Sequence, residues 1–486
     1  MEPRRRAKIL ATIGPATRSE SAIRDMIAAG ADAFRLNASH GEPDAWREEA
    51  RMVRAVAAEA GRPIAIVFDV CGPKLRLGAH VPSLGFEAGD PARFASEGTA
   101  ADALPVAWPG FAALVTPRRS EIVIGDGTPR FAVLGVDGDA VEARCLRGGQ
   151  IGPRKGVFVT FAGTTGRALT EKDLADLDVA AEIGADFVAL SFVRSAADVQ
   201  LLRDELAARG SRARVIAKIE KLEAVENLAE IVAAADGVMV ARGDLGVEAG
   251  VHEVPLLQKR IIRRATTAGK LVVTATQMLE SMLTAAEPTR AEASDVANAV
   301  LDGTSALMLS GETAVGEHPV QAVQAMAAIA GRAQEALSYA LDIPTVEQDN
   351  AEAVLRSAAH LAQQIDAAAL VIPTTTGGSV RAAAKCRTPR PIIALARDDV
   401  VARQLALEWA VIPGTLPAHS GRIEELIDEA VGVARTIGGL DDGAHVVVTY
   451  GQSGRVSGGT DLIVVRQVGA EKPSGFVSDP AQMREA

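Results

Sequence analysis

Short apolar segments rich in β-branched residues alternate with amphipathic segments along much of the chain. Short apolar runs are typical of buried strands, and apolar positions three and four residues apart are typical of helices. This pattern predicts strands at 8–13, 33–37, 64–69, 187–192, 215–219, 237–241, 271–275 and 306–309. It predicts helices at 21–29, 46–60, 171–183, 196–209, 222–234, 254–268 and 289–301. Eight βα units are the number found in a (β/α)8 TIM barrel, so we predict an α/β fold of that type.

Two regions depart from the barrel pattern. Residues 73–163 contain short alternating segments with Gly-Asp-Gly and Asp-Gly turns, which predict an inserted all-β domain. Residues 353–470 predict a second α/β domain with strands at 369–372, 392–396, 446–450 and 462–465. The barrel domain is therefore expected to comprise residues 1–72 and 164–340. A linker is expected at 341–352 and a flexible tail at 471–486.

Composition narrows the classes of partner. The chain has 486 residues, 48% of them hydrophobic, and a net charge of −11, which argues against a nucleic-acid partner. No apolar run approaches the roughly 18 residues of a membrane span. The three cysteines are far apart and odd in number, which favours reduced thiols in the cytoplasm.

Polar residues cluster where the predicted barrel strands end, and that end holds the active site in TIM barrels. Lys218 and Glu220 lie two residues apart in an apolar strand, so their side chains point to the same face. A structural ion pair at a strand end is one explanation. The number of polar residues at strand ends favours an active site instead. These residues are Arg35, Asn37, Asp69, Ser191, Lys218, Glu220, Asp244, Thr276, Gln277 and Glu312.

Two of these carboxylates, Glu220 and Asp244, predict a divalent metal site. Mg²⁺ needs few protein oxygens and keeps its other positions for water or phosphate. Asp244 lies in the segment 242–246, whose two glycines predict a tight turn. Lys218 beside such a metal suggests chemistry on a phosphorylated or enolate-forming substrate.

The second domain contains a candidate phosphate-binding loop. Thr374, Thr375, Thr376, Gly377, Gly378 and Ser379 follow a predicted strand and open a predicted helix. Hydroxyl groups and glycine N–H groups at a helix N-terminus can bind phosphate, although a polar turn without a ligand would have the same sequence.

Long motifs along the chain resemble the pyruvate kinase family, from Lys8 to about Gly469. They are AKILATIGPAT, FRLNASHG, GPKLRLG, VIAKIEKLEAV, VMVARGDLGVE, TATQMLESM, PTRAEASDVANAVLDG and LSGETAVGEHP. The resemblance implies a barrel, an inserted β-barrel lid over residues 73–163 and a C-terminal effector domain. It implies phosphoryl transfer from phosphoenolpyruvate to ADP, giving pyruvate and ATP in the last step of glycolysis. It also implies a homotetramer.

The resemblance implies roles for the residues nearest the transferred group. Glu220 and Asp244 match the ligands of Mg²⁺, or of Mn²⁺ in its place. Lys218 matches the residue that stabilises charge on the phosphoryl group and the enolate. Arg35 and Arg76 match phosphate-binding arginines, whose planar fork suits phosphate.

Further roles follow from the same resemblance. The substrate carboxylate is expected on the backbone N–H groups of Gly243 and Asp244, at a helix N-terminus. Thr276 matches the residue associated with protonation of the enolate carbon, and a water relay to Glu312 is expected because a threonine hydroxyl is a weak acid. Ser191 matches a residue on the floor of the site.

The lid and its entrance complete the implied site. Asp126 and Lys155 are expected to meet substrate or nucleotide when the lid closes and excludes water. His40 is expected to be a nucleotide or structural contact. A phosphorylated metabolite is expected as an allosteric effector at the loop 374–379.

One residue departs from the family members that require K⁺. Lys74 stands where those members carry Glu, near the groups that match their K⁺ site: Asn37, Ser39, Asp69 and the carbonyl of Val70. A lysine ammonium there supplies the positive charge that K⁺ would bring. We therefore predict that K⁺ is not required.

Two other functions remain to be distinguished. A Mg²⁺-dependent barrel lyase acting on pyruvate or oxaloacetate would share the carboxylates but would not need Arg35, Arg76 or a lid. A metabolite sensor derived from a kinase would be expected to have lost Lys218, Glu220 or Asp244, and all three are present.

Overall fold

Eight apolar strands pair in parallel and close into a barrel in the computed structural model, which describes residues 5–125, 127–160, 168–337, 349–416, 422–451 and 459–470. The barrel strands are β1 (Lys8–Thr12), β2 (Ala33–Asn37), β3 (Ala65–Val70), β4 (Phe187–Leu190), β5 (Arg214–Ile219), β6 (Gly237–Ala241), β7 (Leu271–Ala275) and β8 (Ala306–Leu309). Strands adjacent along the chain are adjacent in the barrel, and β8 pairs with β1. The predicted (β/α)8 barrel is confirmed.

Large apolar side chains fill the inside of the barrel. Leu10, Val67, Ile216, Met239 and Val273 belong to one interior cluster and are almost completely buried. This packing makes the interior a solid core and leaves the strand ends for function.

A repeated hydrogen-bond motif joins the strands in pairs near their N-terminal ends. The residue just before every second strand accepts a backbone N–H bond through its side chain, and its own N–H donates back to the same partner residue. The side-chain acceptors are Asp32 for Ile9 N, Asp186 for Ile66 N, Asp236 for Val215 N and Ser305 for Val272 N, at 2.9, 2.8, 2.9 and 3.3 Å. The reciprocal bonds measure 2.9 to 3.0 Å. These acceptors, three of them buried and Asp236 partly buried, satisfy backbone groups at the end of the barrel away from the strand-end polar cluster.

Helices cover the barrel strands. Their bounds are Glu20–Ala29, Pro43–Glu59, Glu171–Glu182, Ala196–Ala208, Leu222–Glu226, Leu228–Ala234, Arg242–Ala249, Val254–Thr267, Arg290–Leu301, Gly311–Ala314 and Pro319–Glu335. Two short 3-10 helices span Phe111–Leu114 and Glu280–Leu283. The helix predicted at 222–234 is interrupted at Asn227. Among the described residues, no helix has both the length and the apolar content needed to cross a bilayer.

The prediction of a tight turn at 242–246 is wrong. These residues begin the helix Arg242–Ala249 directly after β6. Glycines are tolerated in a first turn, where the backbone N–H groups have no helical partner. The N–H groups of this helix N-terminus therefore lie at the C-terminal end of β6.

The inserted region is all-β in its described part, as predicted, and contains a six-stranded and a two-stranded sheet. Isolated bridges from Arg76 to Gly156 and from Leu77 to Val106 join the segment 76–77 to both ends of the six-stranded sheet. The six-stranded sheet has the order Val157–Val159, Glu121–Ile124, Arg130–Asp137, Ala140–Arg147, Pro91–Ser96 and Leu104–Val106. The second sheet pairs Gly149–Ile151 with Leu84–Phe86. Phe131 packs edge-on against Phe86 and Phe94, with ring centroids 5.1 and 5.2 Å apart. The insert therefore has a hydrophobic core of its own.

The second compact unit contains the described residues after 337, except Ala406–Trp409, which belong to the first unit. Its sheet has the order Val411–Thr415, Ile392–Ala396, Ala369–Thr374, His445–Tyr450 and Leu462–Gln467. Its helices are Asn350–Gln364, Gly378–Lys385, Asp399–Leu405 and Ile423–Gly438. The strand Val411–Thr415 was not predicted. It contains Pro413 and Gly414, and these residue types are typical of turns. It lies at the edge of the sheet, where proline is tolerated.

Two predicted segments lie mainly outside the described residues. The tail 471–486 lies outside them entirely. The linker predicted at 341–352 is described only from Asp349, which caps the helix Asn350–Gln364, so the last part of the predicted linker is helical. The domain boundaries predicted from the sequence stay predictions.

Candidate active site

A cavity of about 1860 Å³ lies between the C-terminal ends of the barrel strands and the insert. Most of the predicted site residues line it. They are Arg35, Asn37, Ser39, His40, Asp69, Lys74, Arg76, Lys155, Ser191, Lys218, Glu220, Gly243, Asp244 and Thr276. Asp126 lies outside the described residues. The fold therefore brings residues from distant parts of the sequence to one place.

Lys218 is the buried cation of this cavity. Its ammonium lies 3.2 Å from Asp69 Oδ1 and 3.1 Å from Glu220 Oε1, and it donates to Ser191 Oγ at 2.7 Å. Burial alone would lower the pKa of this lysine, but the charges of Asp69 and Glu220 raise it above its ordinary value. Lys218 is therefore held as a cation.

Asp69 connects Lys218 to a second cation. Arg35 Nε donates to Asp69 Oδ2 at 2.7 Å, from the neighbouring strand β2. Burial would raise the pKa of Asp69, but Lys218 and Arg35 lower it below the ordinary value. A carboxylate thus paired aligns Arg35 and Lys218 at the floor of the cavity.

Glu220 has the properties of a metal ligand. Its side chain is 1% exposed, and Oε2 accepts the N–H of Phe192 at 2.7 Å, which fixes its orientation. Oε1 forms an ion pair with the Lys218 ammonium at 3.1 Å. Burial and the charge of Asp244 raise the pKa of Glu220. Burial and the charge of Asp244 both destabilise the ionised carboxylate, so a bound cation beside Glu220 would stabilise it.

The site fits a cation with few protein ligands. Among the described residues, no cluster of three or more His, Cys, Asp or Glu side chains is arranged to hold a metal ion. Glu220 and Asp244 are two oxygen donors that line the same cavity. This donor set fits Mg²⁺ or Mn²⁺ better than a metal that requires a full set of protein ligands.

Thr276 adopts an unusual backbone conformation at the end of β7. Its φ is +70° and that of Gln277 is +51°, in the left-handed region that a β-branched residue rarely occupies. The guanidinium of Arg242 donates to the Thr276 carbonyl at 2.7 Å and pairs with Asp295 at 2.6 Å. This arrangement holds the threonine in place against the cost of its conformation.

The hydroxyl of Thr276 contacts the first turn of the helix Arg242–Ala249. Its oxygen accepts the N–H of Gly243 at 2.8 Å. The same N–H is expected to bind the substrate carboxylate. In this structure the Thr276 hydroxyl therefore accepts the hydrogen bond that the Gly243 N–H is expected to donate to the substrate carboxylate.

Glu312 does not line the cavity. It is 1% exposed, and its two oxygens accept the N–H groups of Leu279 at 3.1 Å and Ser310 at 2.8 Å. These contacts tie the loop after β7 to the loop after β8. Glu312 therefore has a structural position, and the expected relay from Thr276 to Glu312 stays a prediction.

Oxygens expected near a monovalent cation already accept hydrogen bonds within the protein. The carbonyl of Val70 accepts from Ser191 Oγ at 2.8 Å, and Asn37 Oδ1 accepts the N–H of Ser39 at 3.1 Å. Lys74 extends into the cavity, where its ammonium lies 4.0 Å from Asp244 Oδ1. Lys74 therefore points into the cavity and not only into solvent.

Positive charge surrounds the entrance from the insert. Arg76 Nη1 donates to the carbonyl of Arg154 at 3.3 Å, and Lys155 Nζ donates to that of Gln150 at 2.9 Å. Burial, together with the charges of Arg76, Arg35 and Lys74, lowers the pKa of His40. A neutral imidazole is favoured at this position, which agrees with a contact role for His40.

The loop Thr374–Ser379 begins a helix in the second unit. Gly377 has φ +81° and its N–H donates to Thr374 Oγ1 at 3.0 Å, so the loop needs glycine there. Ser379 Oγ lies 2.8 Å from Thr460 Oγ1, and Arg381 donates to the Thr376 carbonyl at 2.7 Å. These contacts order the loop without a ligand.

Sequence reasoning missed two residues that support the site. Arg242 is charged but only 9% exposed. Its place directly after an apolar strand could have indicated that its guanidinium is paired inside the protein. Asp173 is completely buried and lies in a Thr-Glu-Lys-Asp segment, which signals a capping box.

A parallel barrel whose strand ends carry a buried lysine, paired carboxylates and an arginine-lined lid defines a phosphotransferase. Two sequence families match the chain: pyruvate kinase, barrel domain, at residues 4–323, and pyruvate kinase, alpha/beta domain, at residues 352–466. The chain belongs to the pyruvate kinase family.

Curated relatives match nearly the whole chain. Pyruvate kinase 2 of Synechocystis sp. is 40% identical over 472 residues, which are 96% of this chain and 80% of that protein. Pyruvate kinase of Mycobacterium tuberculosis strain H37Rv is 39% identical over 474 residues, 96% of this chain and 99% of that protein. Pyruvate kinase of Geobacillus stearothermophilus is 40% identical over 477 residues, 96% and 81% of the two chains.

Proposed function

We propose that this enzyme transfers the phosphoryl group of phosphoenolpyruvate to ADP, giving pyruvate and ATP. The observation that carries the proposal is the buried Lys218, held between Asp69 and Glu220 at the floor of a cavity with an arginine-rich rim. A fixed cation at this place suits a substrate whose charge moves from phosphate to enolate during the reaction.

Glu220 and Asp244 would hold Mg²⁺, or Mn²⁺ in its place. When bound, the divalent cation supplies positive charge for the phosphoryl and enolate oxygens. The burial of Glu220 and the nearby charge of Asp244, which both raise the pKa of Glu220, support this assignment. The fixed orientation of Glu220 by Phe192 reduces the reorganisation required when charge develops.

Lys218 and the arginines act on the transferred group. Arg35 and Arg76 bind the phosphoryl oxygens, and Lys218 stabilises them as the bond to the enolate oxygen breaks and the bond to the ADP oxygen forms. Asp69 keeps Arg35 and Lys218 in position. Lid residues close over the nucleotide, where His40, Lys155 and Asp126 are the expected contacts, and exclude water.

The substrate carboxylate is bound by the N–H groups of Gly243 and Asp244 at the start of a helix. Binding there requires the Gly243 N–H to leave Thr276 Oγ or to share its proton between two acceptors. A released Thr276 hydroxyl then lies beside the enolate carbon and positions its proton donor. Glu312 orders the surrounding loops through Leu279 and Ser310, and a water relay between it and Thr276 is part of the proposal.

We further propose that K⁺ is not required. Asp69 already pairs with Lys218 and Arg35, and Lys74 adds a permanent positive charge near Asp244. The oxygens of Val70 and Asn37 already accept hydrogen bonds from Ser191 and Ser39, which supports the same proposal. Members of the family that use K⁺ carry Glu in place of Lys74, and that substitution would reverse the charge at this place.

Finer properties rest on the family resemblance. We propose that a phosphorylated metabolite binds the loop Thr374–Ser379 as an allosteric effector, that the enzyme is a homotetramer, and that it acts in the cytoplasm. We also propose the domain boundaries 1–72 and 164–340 for the barrel, 73–163 for the lid and 353–470 for the effector domain.

A coupled assay tests the main proposal. Purified enzyme is mixed with phosphoenolpyruvate, ADP and Mg²⁺, and pyruvate is measured through its reduction by lactate dehydrogenase. Pyruvate formation that depends on ADP supports the proposal. Release of pyruvate from oxaloacetate, with no turnover of phosphoenolpyruvate, would favour the barrel lyase.

A further inference from the structure

The carboxylate of Asp173 contacts two segments that flank the insert. Its Oδ1 accepts the N–H of Gly72 at 3.0 Å, and its Oδ2 accepts the N–H and the hydroxyl of Thr170 at 2.8 and 2.7 Å. Gly72 is the last residue before the insert, and Thr170 follows it and caps the helix Glu171–Glu182. One buried carboxylate therefore joins the start and the end of the insert to the same helix.

A helix cap alone does not explain this geometry. The capping box needs one oxygen of Asp173 for the Thr170 N–H, and Oδ2 provides it. The second oxygen is used for Gly72, 101 residues earlier in the chain. The side chain is completely buried, so water does not replace either acceptor.

Gly72 lies against the catalytic floor. It has φ +66°, and a Cβ on it would come within 3.1 Å of Ser191 Cβ and 3.2 Å of Phe192. Ser191 accepts from Lys218, and the Phe192 N–H orients Glu220. A displacement of Gly72 would thus disturb the two groups that orient Lys218 and Glu220.

Gly72 also leads directly to Lys74, whose N–H donates to the Gly72 carbonyl at 2.8 Å. The neighbour of Asp173 anchors another loop of the cavity: Lys172 Nζ donates to the carbonyl of Ala38 at 3.0 Å. The first turn of the helix Glu171–Glu182 therefore contacts both loops that follow β2 and β3.

We propose that Asp173 is a positioning residue for phosphoryl transfer. It fixes Gly72, and through Gly72 it sets the position of Lys74 and of the lid entrance relative to Ser191 and Lys218. This inference rests on the proposed function for its kinetic consequence, but the hydrogen bond to Gly72 is tested without activity.

The substitution Asp173→Asn removes one of the two contacts. An amide has one oxygen, so one of the two N–H donors, on Gly72 or Thr170, would face an NH₂ group that cannot accept. Thr170→Ala is the matched control, since it removes the cap hydroxyl and leaves the bond to Gly72. Asp173→Glu keeps both charged oxygens and tests for partial rescue.

Hydrogen exchange measured by mass spectrometry reports the bond itself. In a peptide that spans residues 71–74, Pro73 has no amide hydrogen, so few amides contribute. We expect Asp173→Asn to accelerate exchange in this peptide by about tenfold or more, the scale of one lost charge-assisted hydrogen bond. Thr170→Ala should change it by less than about twofold.

Kinetics test the consequence. We expect Asp173→Asn to lower kcat by about tenfold or more, Thr170→Ala to lower it by less than about threefold, and Asp173→Glu to lie between them. The variants should melt within a few degrees of each other. If Asp173→Asn does not yield folded protein, Asp173→Glu is compared with Thr170→Ala by the same two measurements.

Equal exchange and equal kcat in Asp173→Asn and Thr170→Ala would overturn the proposal and leave Asp173 as a helix cap. Faster exchange with unchanged kcat would also overturn it. If exchange is faster in Asp173→Asn but the wild-type enzyme itself shows no phosphoryl transfer, the proposed function is refuted and the hydrogen bond to Gly72 stands.

Discussion

The ammonium nitrogen of Lys74 lies 4.0 Å from Oδ1 of Asp244, across the cavity entrance. This contact places a permanent positive charge beside a proposed metal ligand. At physiological ionic strength the contact is partly screened, because both side chains are about one third exposed. It nevertheless lowers the benefit of adding a second, monovalent cation.

We predict that activity persists when K⁺ is replaced by tetramethylammonium at constant ionic strength. The expected rate is within about tenfold of the rate with K⁺, since Lys74 supplies the charge. Lys74→Glu should lose activity in tetramethylammonium and recover part of it when K⁺ is added. A wild-type rate that falls further and is restored by K⁺ would refute the prediction.

Asp236 provides a test of the hydrogen-bond motif at the other end of the barrel. Burial would raise its pKa, but Arg214, the N–H of Val215 and Arg203 lower it below the ordinary value. We predict that Asp236→Asn lowers the free energy of unfolding at pH 7 by about 1–3 kcal/mol, because two arginines lose their partner. Asp178→Asn is the control, since Asp178 is 70% exposed in its pair with Arg209 and its loss should change stability by less than about 0.5 kcal/mol.

The pH dependence of this effect has a defined sign. The folded-state pKa of Asp236 lies below its unfolded value, so its contribution is complete above the unfolded pKa of about 3.9. It is lost as the pH falls through the folded pKa. Urea unfolding at several pH values should show the wild type and Asp236→Asn converging in acid, and a constant difference would contradict the assignment.

Glu220→Gln tests the proposed metal site. An amide keeps the shape but supplies no charge, so we expect weaker Mn²⁺ binding and a loss of kcat of at least about 10²-fold. Mn²⁺ binding is measured by electron paramagnetic resonance on folded protein. Glu230→Gln, an exposed residue on a neighbouring helix, should behave as wild type. Near-normal Mn²⁺ binding by Glu220→Gln would remove Glu220 from the ligand set.

The loop Thr374–Ser379 is predicted to bind a phosphorylated metabolite. Calorimetric titration with sugar phosphates and nucleoside monophosphates should show binding to wild type and at least about tenfold weaker binding to the double variant Thr376→Ala/Ser379→Ala. Thr436→Ala, on an exposed helix face, is the control. Absence of binding, or equal binding to both proteins, would reject the effector site.

The periodic pattern predicted most of the fold because the barrel strands are buried on both sides and read as continuous apolar runs. It failed where a local signal was overridden. Gly243 and Gly246 suggested a turn, yet a helix begins there, and its first residue, the buried Arg242, pairs with Asp295. Pro413 concealed an edge strand.

The site was predictable in its residue types but not in its contacts. Strand-end positions identified Lys218, Glu220 and Asp69, since parallel strands end on one side of the barrel. The Gly243 N–H on Thr276, the buried place of Glu312 and the bridge from Asp173 to Gly72 depend on loop conformations. No periodicity in the sequence encodes those conformations.

The most direct test of the central claim is the rate at which pyruvate and ATP form together from phosphoenolpyruvate and ADP in the presence of Mg²⁺. Wild-type enzyme should form both products in equal amounts, and folded Lys218→Met should be slower by about 10²–10³-fold, the scale of one lost electrostatic stabiliser. A wild-type protein that forms no ATP, or a Lys218→Met protein within about tenfold of wild type, would contradict the account.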